Sequence, residues 1–278
     1  MKIGTNKEKI LNAILMAERI VGKKESLPIL SCVVIDANKE LVLRATNLEA
    51  GIEIRIPSDI QEKGIVAVPA TILSQTLRSI SGDTVNFSTE EGNLLIDSRG
   101  TKTLIKAISH TEFPSLPTTT SKKGITLSRE TLLDGIHEVA YAASPSMIRP
   151  DLGSVYLSIK DGGMVCVATD SFRLAEKTIR NVNVHESGDI LIPLKHALEL
   201  THILEKLTEE TVTLTTDDSQ LVLSGESMMY VSRVVDATFP NYKEIVQQEF
   251  DKLKSEVAQT APQILASSPG AGQAQAAV

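Results

Sequence analysis

Ala168-Thr169-Asp170-Ser171-Phe172-Arg173-Leu174-Ala175 is the stretch on which the reading of this chain turns. It follows the apolar run Met164-Val165-Cys166-Val167, which reads as a strand entering a turn. Thr169 and Asp170 carry short polar side chains that bond nearby backbone, which suits a tight turn. By itself the stretch is a hairpin turn. It gains weight from a second, weaker copy, Arg44-Ala45-Thr46-Asn47-Leu48-Glu49-Ala50.

Other landmarks share the offset between the copies. Thr46 and Thr169 are 123 positions apart. Pro28 of Leu27-Pro28-Ile29-Leu30 matches Pro150 of Arg149-Pro150-Asp151-Leu152 at 122, and Pro69 matches Pro193 at 124. Phe113-Pro114 matches Phe239-Pro240 at 126. An offset that drifts upward by small steps is the mark of loop insertions within a duplicated domain. The period is far too long for a solenoid, so each copy is a domain.

A chain of 278 residues suits two domains. Aromatic residues make up only 3% and Trp is absent, so Ile, Leu and Val must fill the cores. Cys32 and Cys166 sit in apolar runs, and Cys32 maps to Ser154 rather than to Cys166. They read as buried thiols, which favours a reducing compartment. Met1-Lys2-Ile3-Gly4-Thr5 opens the chain without a signal-like apolar core, and no run approaches membrane-span length. The expectation is a cytoplasmic protein with no membrane contact. A net charge of −7 argues against a tight grip on nucleic acid through phosphate neutralisation. It leaves room for a protein that surrounds DNA and touches it lightly.

In the first copy, Thr5 with Glu8 reads as a capping box for a helix to Val21. Strand patterns follow at 32–35, 41–44, 52–56 and 65–68. A helix entered through Pro69 runs to about Ile80, and strands follow at 84–88, 93–97 and 103–108. The second copy repeats the order. Ser128 caps a helix to about Ala142, and strands lie at 154–159, 164–168, 176–179 and 190–192. A helix then runs from Pro193 to Leu207, before strands at 211–215, 220–223 and 229–235. Two helices on one face of a curved antiparallel sheet in each copy make an α+β fold of duplicated domains. The expected divisions are 1–120, 125–248 and a remainder, 249–278. In that remainder 249–258 can form one short helix, and 260–278 lacks charge and aromatics and is expected to be disordered.

Catalytic signatures are missing. There is no phosphate-cradling Gly-rich loop and no nucleophile elbow. His196 and His202 are six apart and face different ways on a helix, so they make no metal pair. Asp170 fits backbone bonding in its turn better than general acid–base work. No enzyme site, metal or cofactor is expected.

The duplicated layout and these motifs resemble the bacterial sliding-clamp family, the processivity subunits of DNA polymerase III. The likeness runs from Met1 to about Phe250. It is most specific at Leu27-Pro28-Ile29-Leu30, at Arg149-Pro150-x-Leu152, at 169–175, and at Val235-Asp236-x-x-Phe239-Pro240-Asn241-Tyr242. The resemblance implies a ring with helices toward a central hole, whose basic residues meet duplex phosphate without reading bases. The matching positions are Lys23, Lys24, Arg78, Arg149 and Lys195. It also implies an apolar pocket for peptide motifs of the polymerase catalytic subunit, the clamp loader and repair proteins. Its matching positions are Thr169, Ser171, Phe172, Arg173, Leu174, Pro240 and Ile245. Clamps of this family carry three domain copies and close as dimers, whereas two copies are legible here. The implied function is a clamp subunit without catalysis of its own, working as a homo-oligomer. The alternative is a truncated clamp that binds peptide motifs without closing around DNA.

Overall fold

Asn6, not Thr5, opens the first helix. Its Oδ1 accepts from the Lys9 amide at 3.0 Å, satisfying one of the free N–H groups of the first turn. Thr5 is instead the fourth residue of a strand, β1 (Lys2–Asn6), and its hydroxyl donates to the Pro57 carbonyl. The capping-box reading fails because the strand pairing of Gly4 and Thr5 with Asn86 and Val85 takes the backbone before the helix begins. In this computed structural model the described residues are 1–22, 27–116, 124–160, 162–180, 182, 188–217 and 219–267, with side chains as far as 254.

From β1 the chain enters α1 (Lys7–Ile20), passes a 3-10 turn at Pro28–Ser31, and forms β2 (Cys32–Ala37), β3 (Leu41–Thr46), β4 (Ala50–Ile56), β5 (Ser58–Glu62) and β6 (Ile65–Pro69). Then come α2 (Ala70–Ser79), β7 (Thr84–Glu90), β8 (Asn93–Ser98) and β9 (Thr101–Ile105). The second round is β10 (Gly124–Ser128), α3 (Arg129–Ala140), β11 (Ser154–Lys160), β12 (Gly163–Thr169), β13 (Leu174–Ile179), β14 (Gly188–Pro193), α4 (Leu194–Lys206), β15 (Thr211–Thr216), β16 (Gln220–Ser224) and β17 (Met228–Arg233). The sequence reading missed β1, β5 and β10. Each is only five residues long, and β5 is largely polar and exposed.

The described strands form three antiparallel sheets. One is β5-β1-β7-β8-β9 and another is β13-β12-β11-β14. The third joins the two copies in a single eight-stranded sheet, β10-β15-β16-β17-β4-β3-β2-β6. Its seam is the β17–β4 pair, with Met229 opposite Glu53, Tyr230 opposite Ile52 and Val231 opposite Gly51. Helices α1 and α2 pack together, as do α3 and α4, and α1 also meets α4 across the seam. One large aliphatic core runs under all four helices, with Ile10, Ile14, Leu73, Ile136, Leu200 and Leu204 fully buried in it. A helix stripe of this kind against a sheet face is where most of its stability arises.

Met1–Ala237 forms one compact body, and Thr238–Val278 forms a second. In the second, α5 spans Tyr242–Ser267. It is therefore much longer than the short helix expected at 249–258 and continues through 260–267, where disorder was expected. The Lys, Glu, Gln and Ala residues of 243–261 favour a helix by propensity. Residues 268–278 lie outside the described ones. Among the described residues no helix is long and apolar enough to cross a membrane.

Candidate functional site: a hydrogen-bonded turn and a basic helix face

The Thr169–Leu174 turn is held by its own side chains. Thr169 Oγ1 donates to the Arg173 carbonyl at 2.7 Å and accepts from the Ser171 amide at 3.2 Å. Asp170 Oδ1 accepts from both the Phe172 and the Arg173 amides at 3.0 Å, and its Oδ2 accepts from Arg173 Nε at 3.0 Å. These amides and the Arg173 guanidinium hold the Asp170 carboxyl below its ordinary range. Ser171 takes a left-handed backbone, φ 75°. The result pushes Phe172 outward, 98% exposed, beside a half-open Leu174. The Arg173 guanidinium lies 5.8 Å from the centre of the Tyr141 ring.

Copy one builds the same turn from different residues. Thr46 Oγ1 donates to the Ala50 carbonyl and accepts from the Leu48 amide, while Asn47 Oδ1 accepts from the Glu49 and Ala50 amides. Leu48, at φ 74°, stands where Ser171 does. The proline landmarks repeat as closely. Cys32 Sγ donates to the Pro28 carbonyl, and Ser154 Oγ to the Pro150 carbonyl. Pro69 and Pro193 each end a strand and stand immediately before a helix. Both cysteines are buried and free, and desolvation pushes both thiols up, Cys166 to about 12.

At the first turn a strand neighbour is covered from within. A Cβ added at Gly51 would meet Leu116 Cδ2 at 2.5 Å, so the segment after Phe113-Pro114 rests against β4. Leu174 is the counterpart of Gly51, and Phe239-Pro240 is the counterpart of Phe113-Pro114. Pro240 and Ile245 belong to the second body. There the Tyr242 amide donates to the Pro240 carbonyl at 2.7 Å, Phe239 meets Tyr242 edge-on, and Ile245 is 56% exposed on α5.

The helix side of the seam carries a cavity of about 550 Å³, lined by Leu15, Glu18 and Arg19 of α1, Arg78 of α2, and Lys195, Leu198, Glu199, His202 and Lys206 of α4. Four cations converge there. Burial pushes the carboxyl of Glu199 up to about 7, so it offsets less charge at neutral pH than an exposed carboxylate would. Lys195 Nζ lies 3.6 Å from Glu49, the residue at the tip of the first turn. His196 is buried beside them, with Nδ1 3.1 Å from Ser232 Oγ and Nε2 3.8 Å from the Glu49 carboxylate. Desolvation lowers its pKa.

Two of the expected DNA-facing residues, Arg78 and Lys195, thus meet in one cavity. Arg19 and Lys206 were missed, although Arg19 follows Leu15 at helical spacing and was findable on that ground. Arg149 lies elsewhere, on the α3–β11 loop, gripped by Asp151 at 2.6 and 3.1 Å. Lys23 and Lys24 lie outside the described residues. No group of three or more metal-ligating side chains was found among the described residues.

Two family profiles cover most of the chain: the N-terminal domain of the DNA polymerase III beta subunit over residues 1–117 and its central domain over residues 126–241. A beta sliding clamp of Staphylococcus aureus is 27% identical over 243 residues, which is 84% of this chain and 64% of that protein. One from Staphylococcus epidermidis is 26% identical, over 90% of this chain and 69% of its own length. Among solved structures, the DNA polymerase III beta subunit of Thermotoga maritima superposes with a TM-score of 0.82 at 26% identity, covering 88% of this chain and 67% of that one. The Bacillus subtilis DNA polymerase sliding clamp shares the fold, with a TM-score of 0.78 at 22% identity, over 87% of this chain and 66% of its own. The chain therefore spans about two thirds of the length of the relatives it matches.

Proposed function

Because this chain belongs to the DNA polymerase III beta subunit family, with the duplicated α+β clamp fold described above, we propose that it acts as a sliding-clamp subunit: it holds duplex DNA by enclosure and tethers the polymerase and other replication and repair proteins. It has no catalytic centre of its own and serves a DNA-synthesising complex as an accessory. The domain division proposed is 1–120, 125–248 and the start of a further copy from 249. The proposed location is cytoplasmic.

The observation that carries this reading is the basic helix face at the seam. Arg19, Arg78, Lys195 and Lys206 gather around one cavity on a chain whose net charge is −7. Segregating cations onto one face of an acidic protein suits sequence-independent contact with phosphate oxygens, loose enough to permit sliding. Arg149, Lys23 and Lys24 are proposed as further phosphate contacts. Enclosure supplies retention, so affinity need not.

The test is retention. Loaded with its clamp loader onto nicked circular DNA, the protein is expected to remain bound at 150–200 mM salt and to leave once the circle is cut, while Arg78→Glu with Lys195→Glu loads poorly. Loss from circles as fast as from linear DNA would defeat enclosure. That outcome would leave a second reading, peptide capture without closure, which the outward Phe172 and the half-open Leu174 favour. Thr169, Ser171, Phe172, Arg173 and Leu174 are proposed as peptide contacts on the turn, and Pro240 and Ile245 as peptide contacts of the second body.

A further inference from the structure

A second cleft, of about 270 Å³, opens where the C-terminal end of α4 meets the first turns of α1 and the end of β4. Both copies build it. The first supplies Ala13 and Met16 of α1 with Ile54 and Ile56 of β4, and the second supplies Leu207, just after α4. All five are buried, so the inner lining is apolar.

The charged groups of this cleft have one sign. Lys9, Arg55 and Lys206 line it, and no carboxylate does. The larger cavity, by contrast, includes Glu18 and Glu199. Arg55 is engaged by Glu40 and Glu53, at 3.1 and 2.8 Å. Lys9 and Lys206 have no ion-pair partner among the described residues.

Backbone electrostatics point the same way. Lys9 stands in the first turn of α1, at the positive end of the helix dipole, where a cation costs stability and an anion gains it. Glu8, the acidic residue of that turn, does not line the cleft. Lys206, in the last turn of α4, offsets the carbonyl end of that helix, which would otherwise repel an anion. Two unpaired lysines beside an apolar lining select a ligand with one anionic end and an apolar remainder. Size narrows the choice. A closed apolar cavity of about 150 Å³ takes a six-carbon ring, so about 270 Å³ suits roughly ten non-hydrogen atoms.

We propose that this cleft binds a small amphiphilic anion taken free from solution, a carboxylate on an apolar chain of about eight carbons. The carboxylate lies between Lys9 and Lys206, and the chain lies against Met16, Ile56 and Leu207. Because the two copies share the lining, the ligand ties α1 to α4 and stabilises their join by mass action. The site needs neither DNA nor a peptide, so it is tested apart from the clamp reading.

Octanoate is the probe, added to the purified 278-residue chain, and octylammonium is the charge-reversed control. Saturation-transfer NMR and calorimetry should show saturable octanoate binding at low-millimolar concentration or tighter, and at least about fivefold weaker binding of octylammonium. The melting temperature should rise with octanoate concentration. Lys206 also lines the larger cavity, so Lys9→Glu is the discriminating charge change. It should weaken octanoate about fivefold or more. Thr208 is exposed at the cleft, and Thr208→Trp should fill the opening and abolish binding. Both variants should melt, without ligand, as the wild type does. Absence of saturable octanoate binding up to about 10 mM, equal binding of octylammonium, or indifference to both substitutions overturns the proposal.

Discussion

At the residue scale, the clearest result is that one turn has been written twice with different letters. Asp170 and Asn47 each offer one oxygen to two backbone amides, so the geometry requires an acceptor and not a charge. Asp170→Asn should therefore keep the fold, while Asp170→Ala should lower the melting temperature at pH 7. Because its folded-state pKa lies below the ordinary 3.8, the stability Asp170 contributes is full above that value and is lost as pH falls through the folded pKa. Thermal melts from pH 7 to pH 2 should show the wild type converging on the alanine variant in acid. Leu174 tests the other face of the turn. Leu174→Ala should weaken a clamp-motif peptide by about 1–3 kcal/mol, the scale of a lost aliphatic contact. Calorimetry that found equal affinity would remove Leu174 from the peptide site.

Among the elements, the seam concentrates the buried ionisable groups. Glu199 of α4 accepts a 3.3 Å hydrogen bond from the Tyr230 hydroxyl of β17, close to His196, Lys195 and the Glu49 carboxylate. Its folded pKa of about 7 lies above the ordinary 4.5, so its protonated form favours the fold. That contribution is full below 4.5 and is lost as pH rises through about 7. Glu199→Gln should gain on the wild type between pH 5 and pH 8, by on the order of 2 kcal/mol in chemical denaturation. A constant difference across that range would mean that Glu199 titrates normally. His196 runs in the opposite direction, its depressed pKa costing stability as pH falls below 6.5, but it cancels in the comparison. None of this was legible in the sequence. A carboxylate at helical spacing looks like surface, and only the approach of α4 to β17 puts Glu199 within reach of Tyr230. By contrast, Pro69, Pro193 and Ser128 announced their helices locally, because a proline or a hydroxyl before an apolar stripe is a signal within one turn. β1 and β10 gave no such signal, since each is a short strand completed by a distant partner.

For the whole molecule, the duplication is legible through side chains that serve the backbone. Thr46 and Thr169, Pro28 and Pro150, and Pro69 and Pro193 survive in both copies for one physical reason, that each closes the same turn or opens the same helix. The basic face was legible only in part. Arg78 and Lys195 came from a family resemblance, whereas Arg19 and Lys206 became visible when α1 and α4 met across the seam. Net charge was a poor guide, because it sums over faces that the fold separates.

The seam also fixes an order of events during synthesis. β4 ends at Ile56, but the strand that covers its edge starts at Met228. At ordinary elongation rates the first copy waits roughly ten seconds to half a minute for that partner. Contacts so distant along the chain are slow to form, and an uncovered edge is sticky meanwhile. Nascent chains on one messenger, each displaying β4, are thus open to pairing with a neighbour's β17, and how fast the ribosome moves through the second copy bears on how much of the product folds alone.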